Sequence, residues 1–209
     1  FNGIADDWEY DDSCEEFEYD NKGNVISWKS VNKYVSYDAN GDVKDEGYYA
    51  KWGEYEYDMH GNRIKDTEGR ADRISCVREY DSDENEIKWI YYDSDGSIGN
   101  WDEHEYDSRG NAIKEIGYDS DGSICYCEEW EYDIHGNEIK SIDYDDDGNI
   151  NYWRESEYDN RENLIKYVDY DSDGNRSSWG EGEYDIHGNE IKSIDYDVDG
   201  NITYWRESE

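Results

Sequence analysis

Residues 133–158 read DIHGNEIKSIDYDDDGNINYWRESEY. Residues 185–209 repeat the first 25 of them, with changes only at Asp146/Val198 and Asn151/Thr203. Working outward from this stretch, the dipeptide Tyr-Asp occurs 14 times in the 209-residue chain. From Tyr80 onward its spacing alternates between 12 and 14 residues, so the true period is 26, built from two unequal halves. Before Tyr80 the spacings are 9, 18, 20 and 23. We therefore read residues 1–79 as degenerate repeats forming the N-terminal part of one array, and 80–209 as its regular 12+14 part.

Each half-repeat supplies one strand and one turn. The turn is Asp-x-x-Gly-Asn, as at Asp133–Asn137, or Asp-x-Asp-Gly-Asn/Ser, as at Asp145–Asn149. A three-residue hairpin loop needs a type I turn followed by a residue at φ > 0, which Gly supplies. Asp at the first position caps the turn by accepting backbone N–H groups. Segments between turns carry Tyr, Trp, Ile and Val, which suit a pleated surface. The expected fold is all-β: a tandem-repeat antiparallel β-hairpin array, wound as a spiral or laid out as an extended sheet. The alternative is a β-solenoid with one 26-residue coil per period. If Asp145 pairs with Asn149, then Tyr144 faces Ile150 and Ile142 faces Tyr152. Ile139 and Trp153 are then expected on the opposite side. The Tyr and Trp rows read as cross-strand packing, with a carbohydrate-binding stripe as the competing reading.

Composition excludes several functions. Asp and Glu number 58 against 20 Lys and Arg, a net charge of -38, with 23 Tyr, 9 Trp and no Pro. No basic face exists on which phosphates could be neutralised, so nucleic-acid binding is not expected. No apolar run of about 20 residues exists, so no membrane span is expected. The aromatic content separates the chain from acidic disordered sequences.

The motif Tyr-Asp-x-x-Gly-Asn at Tyr106–Asn111, Tyr132–Asn137 and Tyr184–Asn189 resembles the YD repeat of the Rhs family. That repeat reads roughly Tyr-Asp-x-x-Gly-Arg-Leu and is found in bacterial polymorphic toxins and the teneurin ectodomain. The chain departs from it in having Asn after the Gly and in being more acidic. The resemblance implies secreted or surface-exposed antiparallel β-repeats, wound into a shell or spiral, with no enzymatic activity of their own.

One period, residues 133–158, carries eight carboxylates against Lys140 and Arg154, a net charge of -6. Two unit charges at the ~4.8 Å strand spacing repel by about 0.9 kcal/mol in water. The doubly acidic turns are the candidate Ca²⁺ sites: Asp93 with Asp95, Asp119 with Asp121, Asp145 with Asp147, Asp171 with Asp173, and Asp197 with Asp199. Alternating carboxylates on a Gly-closed turn resemble the start of an EF-hand loop, but the helical context and distal Glu are absent. Plain type I turns with solvated Asp are the competing reading. His60, His135 and His187 read as surface turn residues, not zinc ligands. Cys127 replaces the Trp found at Trp101, Trp153, Trp179 and Trp205. Cys125 and Cys127 share a strand face near 7 Å apart, beyond disulfide reach. No catalytic constellation is visible, and no enzyme is expected.

The functional expectation is a non-enzymatic structural or adhesive repeat module of a secreted or cell-surface bacterial protein, assembling into a fibre or sheath. Its partners would be other copies of itself or adjoining repeats of a longer chain. Two alternatives stand beside it: an acidic nucleic-acid mimic that occupies a basic protein partner, and a Ca²⁺-dependent repeat module. The chain begins at Phe1 and stops mid-repeat, which reads as part of a longer product.

Overall fold

The computed structural model describes residues 8–37 and 41–208, with side chains from residue 15 onward. The side chain of Cys14 lies outside the described residues. Fifteen strands follow one another. They are β1 (Trp8–Tyr19), β2 (Val25–Tyr37), β3 (Val43–Tyr57), β4 (Arg63–Arg70), β5 (Arg73–Tyr80), β6 (Glu86–Tyr92), β7 (Ile98–Tyr106) and β8 (Ala112–Asp119). After them come β9 (Ile124–Tyr132), β10 (Glu138–Tyr144), β11 (Ile150–Tyr158), β12 (Leu164–Asp171), β13 (Arg176–Tyr184), β14 (Glu190–Asp197) and β15 (Ile202–Glu207). Strand order in the sheet is chain order. The pairings are antiparallel between chain neighbours, as in β10–β11 and β11–β12. A solenoid would instead stack residues 26 apart in parallel, so the hairpin array is the correct reading and the solenoid alternative is not. Contacts divide the chain into two units, Phe1–Trp101 and Asp102–Glu209. This division follows contacts and is separate from the change of repeat spacing at Tyr80.

The turns explain the pairing. Asp145 N–H donates to the Asn149 carbonyl at 2.8 Å, and Gly148 N–H donates to the Asp145 carbonyl at 2.9 Å. The same two bonds recur at Asp133–Asn137, Asp171–Asn175 and Asp197–Asn201. Gly148 sits at φ 79, and Gly122, Gly136, Gly174, Gly188 and Gly200 lie between 81 and 91. The expected positive φ is therefore present at all six. A Gly148→Val variant should lose more than about 1 kcal/mol, because a β-branched residue resists this region. The converse holds where the repeat has drifted. Glu162 occupies the Gly position of the Asp159–Asn163 turn at φ 67. Glu162→Gly should therefore stabilise unit 102–209 by about 1 kcal/mol in urea unfolding.

The register differs from the one expected. Tyr144 does face Ile150, but Asp143 pairs with Tyr152 and Ile142 with Trp153. Asn151 is an extra residue, a β-bulge directly after the turn. The same bulge falls at Ile139, Ile165, Ser177, Ile191 and Thr203. Each bulge flips the alternation of its strand by one position. Trp153 therefore joins the face of Ile142 and Tyr144, not the opposite face.

No dry core forms. Among the described residues the buried apolar side chains are Cys76 and Val77, and no large side chain is fully buried. Strand contacts within each unit join strands adjacent in the chain, such as β11 with β12 and β13 with β14. Stability therefore comes from nearest-neighbour pairs, as in quasi-one-dimensional repeat proteins.

Candidate functional site

The turn carboxylates are built inward from their own loops. Asp133 Oδ1 accepts from the N–H groups of His135 (2.8 Å) and Asn137 (3.0 Å), and Oδ2 accepts from Asn137 Nδ2 (2.9 Å). Asp145, Asp171 and Asp197 repeat this bonding, accepting from the backbone of Asn149, Asn175 and Asn201 at 2.8 Å. Asp119 accepts from the N–H groups of Asp121 and Ser123 at 3.1 Å. The second carboxylates differ. Asp95 and Asp121 each accept the hydroxyl of the following Ser at 2.6 Å. Asp147, Asp173 and Asp199 are exposed. The Asp93 side chain lies against Gly99, where an added Cβ would come within 3.1 Å of Oδ1. Among the described residues no three His, Cys, Asp or Glu side chains are gathered so as to hold a metal ion. His60, His135 and His187 are exposed turn residues. Cys76, Cys125 and Cys127 are free thiols.

Unit 102–209 presents two chemically different faces. On one, Trp153 stacks on its cross-strand partner Tyr170 with ring centroids 4.8 Å apart, and Trp179 stacks on Tyr196 at the same distance. Tyr144 pairs with Cys127, which stands in the Trp position of that repeat. Beside the rings runs a Glu–Lys ladder. Lys114 contacts Glu129 at 2.8 Å, Lys166 contacts Glu157 at 2.8 Å, and Lys192 pairs with Glu183. Trp205 occupies the same repeat position on β15. No further described strand covers it, and it is 56% exposed.

The other face is spanned by tyrosines. Tyr167 lies over its partner Gly180 and donates to Asp195 Oδ1 at 2.9 Å. Tyr126 lies over Gly117, and its one hydroxyl proton is shared between Asp102 Oδ1 (2.7 Å) and Glu115 Oε1 (2.9 Å). Burial, and then the Asp195 carboxylate, push the Tyr167 hydroxyl up to about 12. It stays a proton donor to that carboxylate at physiological pH. Glu115, Glu128 and Asp143 pair in one row across β8, β9 and β10. Burial, then Asp143 and Glu115, raise the pKa of Glu128.

In unit 1–101 the glycine–aromatic pairing recurs with Trp28 over Gly53 and Trp52 over Gly69. The sequence reading missed this pairing. The signal available was a single Gly inside a strand pattern, which often marks a close approach.

No protein-family model matches the sequence, and no curated protein matches it. The fold is similar to that of chains in solved toxin complexes. Against the crystal structure of TcdB2-TccC3-Cdc42 the identity is 14% and the TM-score 0.54, covering 92% of this chain and 12% of that one. Against the Photorhabdus luminescens Tc holotoxin pore the identity is 14% and the TM-score 0.55, covering 93% of this chain and 12% of that one. The chain thus spans about an eighth of the length of the chains it matches. At this identity the likeness is one of fold. No helix among the described residues is long and apolar enough to cross a membrane.

Proposed function

We propose that the chain is a non-enzymatic structural or adhesive repeat module of a secreted or cell-surface bacterial protein, extended by adding strand to strand. The observation that carries this reading is the strand-by-strand build of the array, in which each strand is covered by the next one in the chain. On β15 Trp205 is 56% exposed and Ile202 58%, against 38% for the equivalent Ile150 of the internal strand β11. On the internal strands β11 and β13 the equivalent Trp153 and Trp179 are half-buried, stacked on Tyr170 and Tyr196 of the next strand. An unpaired strand edge is a template for another strand, supplied by an adjoining repeat or by another copy. The fold likeness to toxin-complex chains supports the resemblance to the Rhs repeat, a family of secreted and surface proteins. Burial pushes the Cys76 and Cys127 thiols up, away from nucleophilic character.

The test is self-association at about 0.15 M salt, where the Debye length is about 8 Å and the net charge is largely screened. Sedimentation should detect concentration-dependent oligomers, and Trp205→Lys should weaken them and remove the share formed by strand addition, since an edge lysine blocks that pairing. Oligomers unchanged in Trp205→Lys would contradict edge-wise assembly.

The ten paired turn aspartates belong to this proposal as the places where cations relieve repulsion. Because Asp119, Asp145, Asp171 and Asp197 are engaged by their own turns, the geometry there favours screening over coordination. Thermal midpoints in millimolar CaCl₂ and in NaCl of equal ionic strength should rise together. A clearly higher midpoint in CaCl₂ would mark Asp93/Asp95, Asp119/Asp121, Asp145/Asp147, Asp171/Asp173 and Asp197/Asp199 as specific sites.

A further inference from the structure

The β4–β5 connection breaks the repeat rules in three ways. It is two residues long, and Arg70 pairs with Arg73 across it. Ala71 sits at φ 56, held by an N–H bond to the Ala50 carbonyl at 2.8 Å and by Trp52 Nε1 donating to its own carbonyl at 3.1 Å. Strained backbone that neighbouring residues hold in place marks functional sites more often than plain turns. The third departure is charge. Lys51 pairs with Arg70, and Arg70 with Arg73, so three cations stand in one row across β3, β4 and β5. Like charges directly opposite are destabilising, and this row occurs in a chain of net charge -38.

The row borders a cavity of about 420 Å³ lined by Trp28, Lys51, Glu68, Arg70, Arg73 and Tyr91, among others. Glu68, the acid of this lining, is engaged by Arg78 Nη1 at 3.1 Å. The Arg70 guanidinium lies 4.6 Å from the Tyr49 ring centre, and Arg73 Nη1 donates to the Ser94 carbonyl at 3.0 Å. Both guanidiniums are thus positioned while keeping further N–H donors for an anion.

We propose that this cavity is a docking site for the Asp197–Asn201 turn of a second copy of the chain. The complementarity is specific to that turn. Among the five Asp-x-Asp-Gly turns the intervening residue is Ser94, Ser120, Asp146, Ser172 or Val198. The Asp197–Asn201 turn alone places an apolar residue between two carboxylates; the exposed Met59, Ile134 and Ile186 each stand between an Asp and a His. Val198 is 59% exposed, and Asp199 is an exposed carboxylate. A cavity with aromatic walls and cationic floor accepts an apolar tip flanked by acids. The contact is heterologous, so each copy offers one cavity and one tip.

The experiment is done in the Trp205→Lys background, which silences strand addition at β15 and keeps the two modes of association separate. Arg70→Glu leaves the tip intact and spoils the cavity. Asp199→Lys does the reverse. Each variant alone should associate at least about tenfold more weakly than the Trp205→Lys parent in sedimentation equilibrium. An equimolar mixture of the two should form a 1:1 dimer that grows no further, because one good cavity and one good tip remain. Lys51→Gln is a milder second probe of the cavity and should give an intermediate loss, with thermal midpoints confirming that every variant is folded. A monomeric parent, or a mixture that associates no better than either variant alone, would overturn the proposal.

Discussion

Replacing Gly180 by valine should destabilise the 102–209 unit by about 1–3 kcal/mol, the usual cost of forcing extra methyl groups into a filled space. A Cβ at this position would collide with Tyr167 Cε1 and lie 2.5 Å from Asp195 Oδ1. The ring has little room to retreat. Its hydroxyl is tied to Asp195, and the Arg154 guanidinium lies 4.5 Å from its centre. Arg154 is itself fixed by a two-point bond to Asp169, at 2.7 and 3.1 Å. Moving Tyr167 therefore disturbs β11, β12, β13 and β14 together. The valine also carries β-propensity that would favour it in an open strand, so a loss in spite of that isolates the ring contact. Urea midpoints measure the effect, and a shift below about 0.5 kcal/mol would mean that the ring does not rest on Gly180.

Stability should also peak at mildly acidic pH and fall on both sides. Two sets of carboxylates act with opposite sign. Asp133, Asp159, Asp185 and Asp197 lie below their ordinary value of 3.8, first because the Asn amide of the same turn donates to each of them, and further through backbone N–H groups. A depressed carboxylate contributes stability above its unfolded pKa, and this is lost as pH falls from 3.8 through the lower folded value. Glu128 lies above its ordinary 4.5 through burial and then the charges of Asp143 and Glu115. Its contribution is fully present below 4.5 and is lost as pH rises through the higher folded value. Acidification from neutral pH should therefore raise the thermal midpoint, and further acidification below 3.8 should lower it. A midpoint that falls steadily from neutral pH downward would show that crowding in the Glu115–Glu128–Asp143 row has no energetic weight.

These two predictions separate what the residues disclose from what they hide. The turns were legible because one residue type answers each need. Asp accepts the loop's N–H groups, Gly takes the positive φ, and Asn closes the pair, so Asp145–Asn149 could be placed from spacing alone. One strand per half-repeat over 80–209 followed from the 12 and 14 spacing, while the choice between antiparallel hairpins and solenoid coils did not. The bulge was not legible, because Asn151, Ile139 and Ile165 share no side-chain chemistry that demands one. A single extra residue changes no periodicity but moves Trp153 across the sheet. The glycine–aromatic contacts were hidden for a related reason: Gly180 and Tyr167 meet only once the bulged register is known. The cation row was hidden in the degenerate part of the array, where Lys51, Arg70 and Arg73 are scattered in sequence and the β4–β5 connection lacks the Asp-x-x-Gly signature. The capping role read for the first turn Asp is seen at Asp133, Asp145, Asp171 and Asp197, which accept N–H groups of their own loops.

The most direct test of the central claim, a chain of antiparallel hairpins with a bulge after the turn in unit 102–209, is a set of interstrand proton–proton contacts measured by NMR. The structure predicts backbone contacts between Ile142 and Trp153 and between Trp153 and Tyr170, with the Trp153 and Tyr170 rings stacked. Contacts joining Ile142 directly opposite Tyr152, or residues 26 positions apart such as Tyr144 and Tyr170 in parallel pairing, would contradict it.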